Sequence, residues 1–371
     1  MREAYYLPKP QLDELIAMLW RDGYRVLGPV EREGAVAFDE VRAMSQMPVG
    51  RREEQSPGRY RIGNGRPGEI FGVVNGPGSL KPLFFAPEET VLEIRRRGRG
   101  FQATETAPAA VRLAIIGVRA CDLAAVAIQD RIFLQDLFQD SHYAARRADA
   151  LLIAVNCTHS APTCFCASMN TGPQAKTGYD LAMTELDEGF LVRAGSERGA
   201  SIIAALSLGQ ATASAVEMEV RAIAECAEHQ VRRMDASDLP GLLYDEAENP
   251  RWDDVAARCL SCTNCTMVCP TCFCHTVLDV QEIEGNMSRR VRKWDSCFSL
   301  EHARVHGFNF RSRIHDRYRQ WLTHKLASWI DQFGTSGCTG CGRCVAWCPV
   351  GIDLTEEVAA IRGSRGARTA R

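Results

Sequence analysis

Sixteen cysteines occur in 371 residues, and their spacing is the feature of this chain that could do chemistry. None precedes Cys121, and ten fall in two short stretches near the C-terminus, residues 259–274 and 338–348. The first run places Cys259, Cys262, Cys265 and Cys269 directly before Pro270. The second places Cys338, Cys341, Cys344 and Cys348 directly before Pro349. Both have the form C-x2-C-x2-C-x3-C-P, the bacterial ferredoxin pattern for [4Fe–4S] clusters. In that pattern three closely spaced thiolates wrap one cubane, and the fourth, followed by proline, reaches across to the other. The expected sets are Cys259, Cys262, Cys265 and Cys348 on one cluster, and Cys338, Cys341, Cys344 and Cys269 on the other. Zinc is the competing chemistry, but zinc knuckles pair two C-x2-C units to supply four ligands in all. Two complete four-cysteine runs, each closed by proline, fit zinc poorly.

A second signal is the pentapeptide PTCFC, which occurs at residues 162–166 and again at 270–274. A C-x-C pair presents two thiols on one side of an extended segment or tight turn, which suits metal ligation. Cys157, Cys164 and Cys166, with Cys121 or a cysteine from the C-terminal part, could hold a third iron–sulfur cluster. The second copy supplies Cys272 and Cys274, with Cys297 nearby. Two other readings stand beside metal binding: buried packed thiols that wall off the two clusters, or a redox-active dithiol. Cys226, alone on the apolar face of a helical stretch, reads as a core residue.

The elements that must position these thiols can be read from periodicity. Pro10 followed by QLDELIAMLWRDG predicts a helix stopped by Gly23. YRVLGPV and AVAFDEV read as strands joined by the turn EREG, residues 50–68 as a loop, and FGVV and VLEI as further strands. LAIIGV, DLAAVAIQDRIF and LLIAVN predict a strand–helix–strand unit with parallel strands. Cys121 and Asp122 would lie in the loop after the first of these strands, and Cys157 just after the second. Open α/β sheets place their sites at such carboxyl ends. LAMTEL and FLVRAGS read as a hairpin, residues 211–234 as a long helix, and DASDLPGLLYDEAENP as a linker. The expected fold is an α/β (α+β) N-terminal domain, residues 1–245, that docks partners and could carry the extra metal site. An α-helical ferredoxin domain with two [4Fe–4S] clusters follows, residues 246–371. Its helical character is expected because 68 residues separate Cys269 from Cys338, with helical patterns in SLEHARVHGFN and RYRQWLTHKLASWIDQFG. The basic tail RGSRGARTAR reads as disordered.

Composition narrows the function. Apolar residues make up 46% and charged residues 24%, with 44 basic against 46 acidic side chains, a net charge of −2. That balance lacks the basic excess of a nucleic-acid binder. No stretch is long and apolar enough for a membrane span. The opening MREAYYLPKPQLDE has no apolar signal-peptide region. A reducing cytoplasm is the expected location, where clustered cysteines bind metal or do redox chemistry. Residues 63–68, GNGRPG, match G-x-G-x-x-G literally, but no helix is expected to follow, so the segment reads as a surface loop. Arg95, Arg96, Arg97 and Arg99 read as a solvated charge run. Trp347 reads as packing beside Cys348. No phosphate loop or nucleophile elbow is present.

With these motifs in hand, the chain resembles the β subunit family of cytoplasmic sulfhydrogenases and the related A subunit of anaerobic sulfite reductase. The resemblance rests on GVRACDL at 117–123, Asp140 with Tyr143, Arg146 and Arg147, and VNC at 155–157. It continues through PTCFCASMNTGP, GYDL at 178–181, the two ferredoxin runs and CPVGID at 348–353. It spans about residues 110–360, and the first hundred residues add little. Ala120 stands where proline is expected in many relatives. The resemblance implies a non-catalytic electron-transfer subunit without catalytic residues of its own. Its partners would be a flavin-containing, NAD(P)H-oxidising γ-type subunit and a catalytic partner. That catalytic partner would be the small and large subunits of a [NiFe]-hydrogenase, or a sirohaem sulfite reductase. The rival expectation is an iron–sulfur oxidoreductase that reduces flavin or deazaflavin at its own site in the N-terminal domain. A redox-sensing regulator is the weakest reading, because no basic nucleic-acid surface is evident.

Overall fold

Short apolar runs bounded by turn residues become strands, and longer runs of helical period cover them. The structure, a computed structural model, describes residues 3–74, 76–108, 111–135 and 137–369, and the side chains of residues 366–369 lie outside that description. The chain opens with β1 (Tyr5–Pro8) and α1 (Gln11–Arg21), which begins at Pro10. Strands β2 (Arg25–Arg32) and β3 (Ala35–Glu40) follow as the expected hairpin.

Residues 50–68, expected as a loop, instead contain a second hairpin, β4 (Arg51–Ser56) and β5 (Arg59–Asn64). Its inward positions are polar, so no apolar alternation announces it. Buried Glu53 accepts from the Val74 amide at 3.0 Å, and buried Gln55 donates to the Val74 carbonyl at 3.1 Å. Those bonds occupy the backbone of FGVV, which is not a strand. Beyond the short α2 (Lys81–Phe84), β6 (Glu88–Arg97) and β7 (Gly100–Glu105) form a further hairpin that includes VLEI.

The strand–helix–strand unit is present as β8 (Leu113–Val118), α3 (Ala120–Leu134), α4 (Ser141–Arg147) and β9 (Leu151–Val155), with β8 and β9 parallel. Next come the hairpin β10 (Leu181–Glu185) and β11 (Gly189–Ala194), then α5 (Glu197–Ala205), β12 (Gly209–Gln210) and α6 (Ala213–Glu228). One eight-stranded sheet has the order β12-β1-β11-β10-β9-β8-β2-β3. Its central strands β10, β9, β8 and β2 run parallel, and its flanks are antiparallel. Leu151, Ile153 and Val155 of β9 enter the core on one face, while Leu152 and Ala154 enter the core on the other. Burial on both faces is why these strands read as unbroken apolar runs.

The stretch expected as a linker forms α7 (Leu239–Asp245), whose Leu239, Leu242 and Leu243 are buried. Then come α8 (Arg251–Arg258) and the short α9 (Asn264–Met267). The insertion between the cysteine runs is not wholly helical. It begins with the hairpin β13 (His275–Gln281) and β14 (Met287–Trp294). SLEHARVHGFN, expected as helix, is a single 3-10 turn and a two-residue ladder, β15 (Arg304–Val305) with β16 (Phe308–Asn309). Helical structure comes only afterwards, as α10 (Ile314–Thr323), a π turn over His324–Ser328, and α11 (Trp329–Phe333). The chain ends in α12 (Arg343–Ala346) and α13 (Leu354–Thr369). Much of the tail expected to be disordered therefore continues α13, and residues 370 and 371 lie outside the described residues.

Helices α7, α8, α10 and α13 share an apolar core that includes Leu242, Trp252, Trp321 and Ile361, and both cysteine runs pack against it. A four-stranded sheet of order β13-β14-β6-β7 draws strands from both sides of residue 245. Among the described residues no helix is long and apolar enough to cross a membrane.

Candidate metal centres

The sheet delivers the first group of thiols. After β8 the chain enters α3, so Cys121 and Asp122 sit in its first turn rather than in the expected loop. Cys157 follows β9 directly, and Cys164 and Cys166 lie in the turns beyond it. Cys157 packs with Cys164, while Cys121 packs with Cys166 and with Cys341 of the second run. Gln230 Nε2 donates to Cys166 Sγ at 3.2 Å, and Arg119 donates to Cys157 Sγ at 3.8 Å. Burial pushes all four thiols up, Cys166 to about 12. Cys226 is buried on α6, as its pattern suggested.

The first cysteine run lies at the end of α8. Cys259, Cys262, Cys265 and Cys348 line one cavity with Phe298, Tyr318 and Trp321, and Cys344 forms part of its wall. Its empty space is about 470 Å³. The Ser261 amide donates to Cys259 Sγ at 3.4 Å and the Ile352 amide to Cys348 Sγ at 3.3 Å. Cys262 is exposed, so this cavity reaches the surface. The second set, Cys269, Cys338, Cys341 and Cys344, lines a neighbouring cavity of about 290 Å³ with Phe165 and Lys325. Here the Gly340 amide donates to Cys338 Sγ at 3.4 Å. Gly340 and Gly342 have φ of +63° and +76°. A Cβ on either would lie 2.7 Å from the Cys166 Cα or 2.4 Å from the Thr163 carbonyl oxygen. Residues 163–166 thus press directly on the second run, and only glycine permits it.

These donor sets fit [4Fe–4S] clusters. Each cavity is lined by the four thiols expected for it, the first also by Cys344, and backbone N–H groups aim at sulfur, the kind of hydrogen bond that tunes a cluster. Among the described residues no group of three or more His, Cys, Asp or Glu side chains closes around a single metal ion. Zinc needs four donors within about 2.3 Å of one point, whereas a cubane spreads its ligands around an inorganic core.

The third group is separate from the first. Cys272, Cys274 and Cys297 line another cavity of about 290 Å³, with Phe273, Trp321, His324, Lys325 and Trp329. The seven additional cysteines therefore divide into four at the end of the sheet and three beside the second run. Hydrogen bonds from Cys297 and then His302, with burial opposing them, bring Cys274 down to about 4. His302 is raised to about 9, chiefly by its bond to Cys274 and also by Asp295.

Two features had no sequence signal strong enough to find them. Lys325 is buried, and its Nζ donates to Cys269 Sγ and Thr271 Oγ1 at 3.2 Å, to Gly337 O at 3.1 Å and to Cys272 Sγ at 3.7 Å. Burial opposes its charge, but the thiols of Cys269, Cys272 and Cys338 outweigh that and hold it well above the lysine range. The available hint was its place between Trp321 and Trp329 at a spacing of four on an apolar helical face. Arg343, between Cys341 and Cys344, makes a buried bidentate pair with Asp122 at 2.7 and 2.9 Å and donates to Gly76 O at 3.0 Å. Nothing in the spacing of either residue reveals the other.

The GNGRPG segment ends β5 and opens no helix; it borders a wide cleft. Charges lining that cleft pair with one another, Arg52 with Glu69 and Arg66 with Asp187, each at 2.6 Å. Trp347 packs on Tyr60, with ring centroids 5.1 Å apart.

Residues 258–352, which contain both four-cysteine runs, match the family model described as a 4Fe-4S dicluster domain. Across most of its length the chain is similar to sulfhydrogenase 2 subunit beta of Pyrococcus furiosus. The two are 27% identical over 343 residues, which covers 91% of this chain and 92% of that one. No solved structure matches. The C-terminal part is thus a 4Fe-4S dicluster domain within a mixed α/β chain, and the resemblance to the sulfhydrogenase β subunit is borne out.

Proposed function

We propose that this chain is the iron–sulfur electron-transfer subunit of a sulfhydrogenase-type complex. Two clusters would be held by Cys259, Cys262, Cys265 and Cys348, and by Cys269, Cys338, Cys341 and Cys344. The observation that carries this reading is the pair of adjoining cavities, lined by five and four cysteines, with Cys344 in the wall of both. Bound there, [4Fe–4S] clusters supply one-electron carriers whose potentials follow burial, net charge and hydrogen bonds to sulfur. The protein's part is to exclude water, hold eight thiolates and aim donors at them. Tyr318, Trp321 and Phe298 wall the first cavity with apolar surface. The second is more deeply enclosed, since Cys269, Cys338 and Cys341 are buried. Exposed Cys262 and Leu260 make the first cavity the natural point of exchange with a partner.

In this reading residues 246–371 are an α-helical ferredoxin module carrying a β-hairpin, and residues 1–245 are the scaffold that docks partners. Similarity to a sulfhydrogenase β subunit supports a place in a hydrogenase-type complex; the proposed setting is cytoplasmic, between a flavin-containing, NAD(P)H-oxidising subunit and a [NiFe]-hydrogenase. The sirohaem sulfite reductase branch is the alternative catalytic partner. The chain itself is proposed to be non-catalytic.

Substituting Cys262→Ser tests the relay. The variant should lose one cluster's EPR signal from the anaerobically purified chain and abolish electron flow through the reassembled complex. Full electron flow with one signal missing would overturn the wire.

A further inference from the structure

The second PTCFC copy does more than follow Pro270. Its thiols face a space that the eight assigned ligands do not use. We infer that Cys272, Cys274 and Cys297, which line one cavity, hold a third iron–sulfur cluster beside the second.

The β13–β14 hairpin builds this site. Its ladder pairs His275 with Trp294, and one step further the Asp295 amide donates to the Cys274 carbonyl at 2.9 Å. The hairpin therefore returns the chain so that Cys297, remote in sequence, comes back beside Cys274. Ser296, fully buried, fixes the turn: its hydroxyl accepts from Thr266 Oγ1 at 2.8 Å and from the Phe298 amide at 3.1 Å. Cys274 is hydrogen-bonded by both Cys297 and His302. His302 Nδ1 lies 2.9 Å from Asp295 Oδ2, while Asp295 Oδ1 accepts from the Ser296 amide at 2.7 Å. The carboxylate fixes the imidazole so that its other nitrogen meets the Cys274 sulfur, the kind of hydrogen bond that tunes a cluster.

Size and lining favour a cluster over other occupants. The empty space is about 290 Å³, equal to that of the second assigned cavity. Phe273, Trp321 and Trp329 wall it with aromatic surface. Lys325 lines both cavities, placing one cation where two anionic clusters would meet. The Lys325 side chain comes from a π turn, a device that re-aims residues within a helix. Thiols that merely packed would fill the space rather than surround it. A single zinc ion would need its donors to converge, and among the described residues none do. A Cys–His–Asp series alone also describes a nucleophilic thiol, but that chemistry has no need of Cys272 and Cys297 on the same wall.

The test is iron and acid-labile sulfide content, with EPR of the reduced protein, on the full chain purified anaerobically. Wild type should hold about twelve irons, and Cys274→Ala/Cys297→Ala about eight, with one signal lost and two unchanged. His302→Ala should keep all the iron and lower the midpoint potential of that one signal, because it removes a hydrogen bond to a ligand sulfur. About eight irons in wild type would overturn the inference. So would twelve that survive the double substitution, or one equivalent of zinc lost with it. The two-cluster relay is judged separately by Cys262→Ser, which must remove a different signal.

Discussion

At the scale of single residues, type and spacing revealed the eight ferredoxin-pattern cysteines but not the charges around them. Thiolate pairs advertise themselves at fixed separations, whereas a cation acts through space from any element that comes near. Lys325 is such a cation, 3.2 Å from Cys269 Sγ and 3.7 Å from Cys272 Sγ. A positive charge there stabilises the more negative, reduced form of whatever cluster those thiols hold. Lys325→Met should therefore lower the midpoint potential of the cluster ligated by Cys269. A hydrogen bond to a charged group is worth about 1.5–3 kcal/mol, so the shift should be roughly 65–130 mV for a one-electron couple. Potentiometric titration followed by EPR reads it. An unmoved potential with iron content intact would show that Lys325 serves packing alone.

At the scale of elements, what could be read was the buried parallel pair β8 and β9 and the helix between them. Their apolar runs leave little choice of structure. What could not be read were elements stabilised by partners remote in the chain. The β4–β5 hairpin keeps Glu53 and Gln55 inside because the Val74 backbone pairs with both. Likewise, α7 appeared as a linker because its three buried leucines are packed by helices that come later in the chain. The same remoteness hides the tie between α3 and α12. Asp122 and Arg343 are both almost fully buried, with side-chain exposures of 1% and 2%. Removing one partner of such a pair strands the other charge, at a cost of about 3–5 kcal/mol. Asp122→Ala should lower stability by that order in anaerobic denaturant titration. Asp122→Ala/Arg343→Met should recover most of the loss, because the penalty lies in the stranded charge and not in the missing attraction. Equal destabilisation in the single and double variants would contradict this account.

At the scale of the whole molecule, the parts are joined by a charge network that no local pattern contains. Glu89 on β6 meets Arg292 on β14 and Arg146 and His142 on α4, with Arg146 at 2.6 Å and the His142 ring at 2.8 Å. Asp140, which caps α4, also pairs with Arg292. Segments on both sides of residue 245 are thereby locked together. Burial would raise the Glu89 carboxyl, but hydrogen bonds from Arg146, Arg292 and His142 outweigh it and bring it from 4.5 to about 2. Asp140 is lowered too; burial opposes this, and the Arg292 and Tyr143 hydrogen bonds prevail. A carboxylate depressed in the folded state contributes stability that is fully present above its unfolded pKa and is lost as pH falls through the folded one. For Glu89 that window runs from about pH 4.5 down to about 2. Glu89→Gln should therefore be less stable than wild type at neutral pH, and the difference should shrink as the medium is acidified through this window. Acid loss of iron would affect both proteins alike, so the informative quantity is the gap between their protease-resistance curves at matched pH. A gap that stays constant from pH 6 to pH 3 would mean that Glu89 acts through its shape rather than its charge.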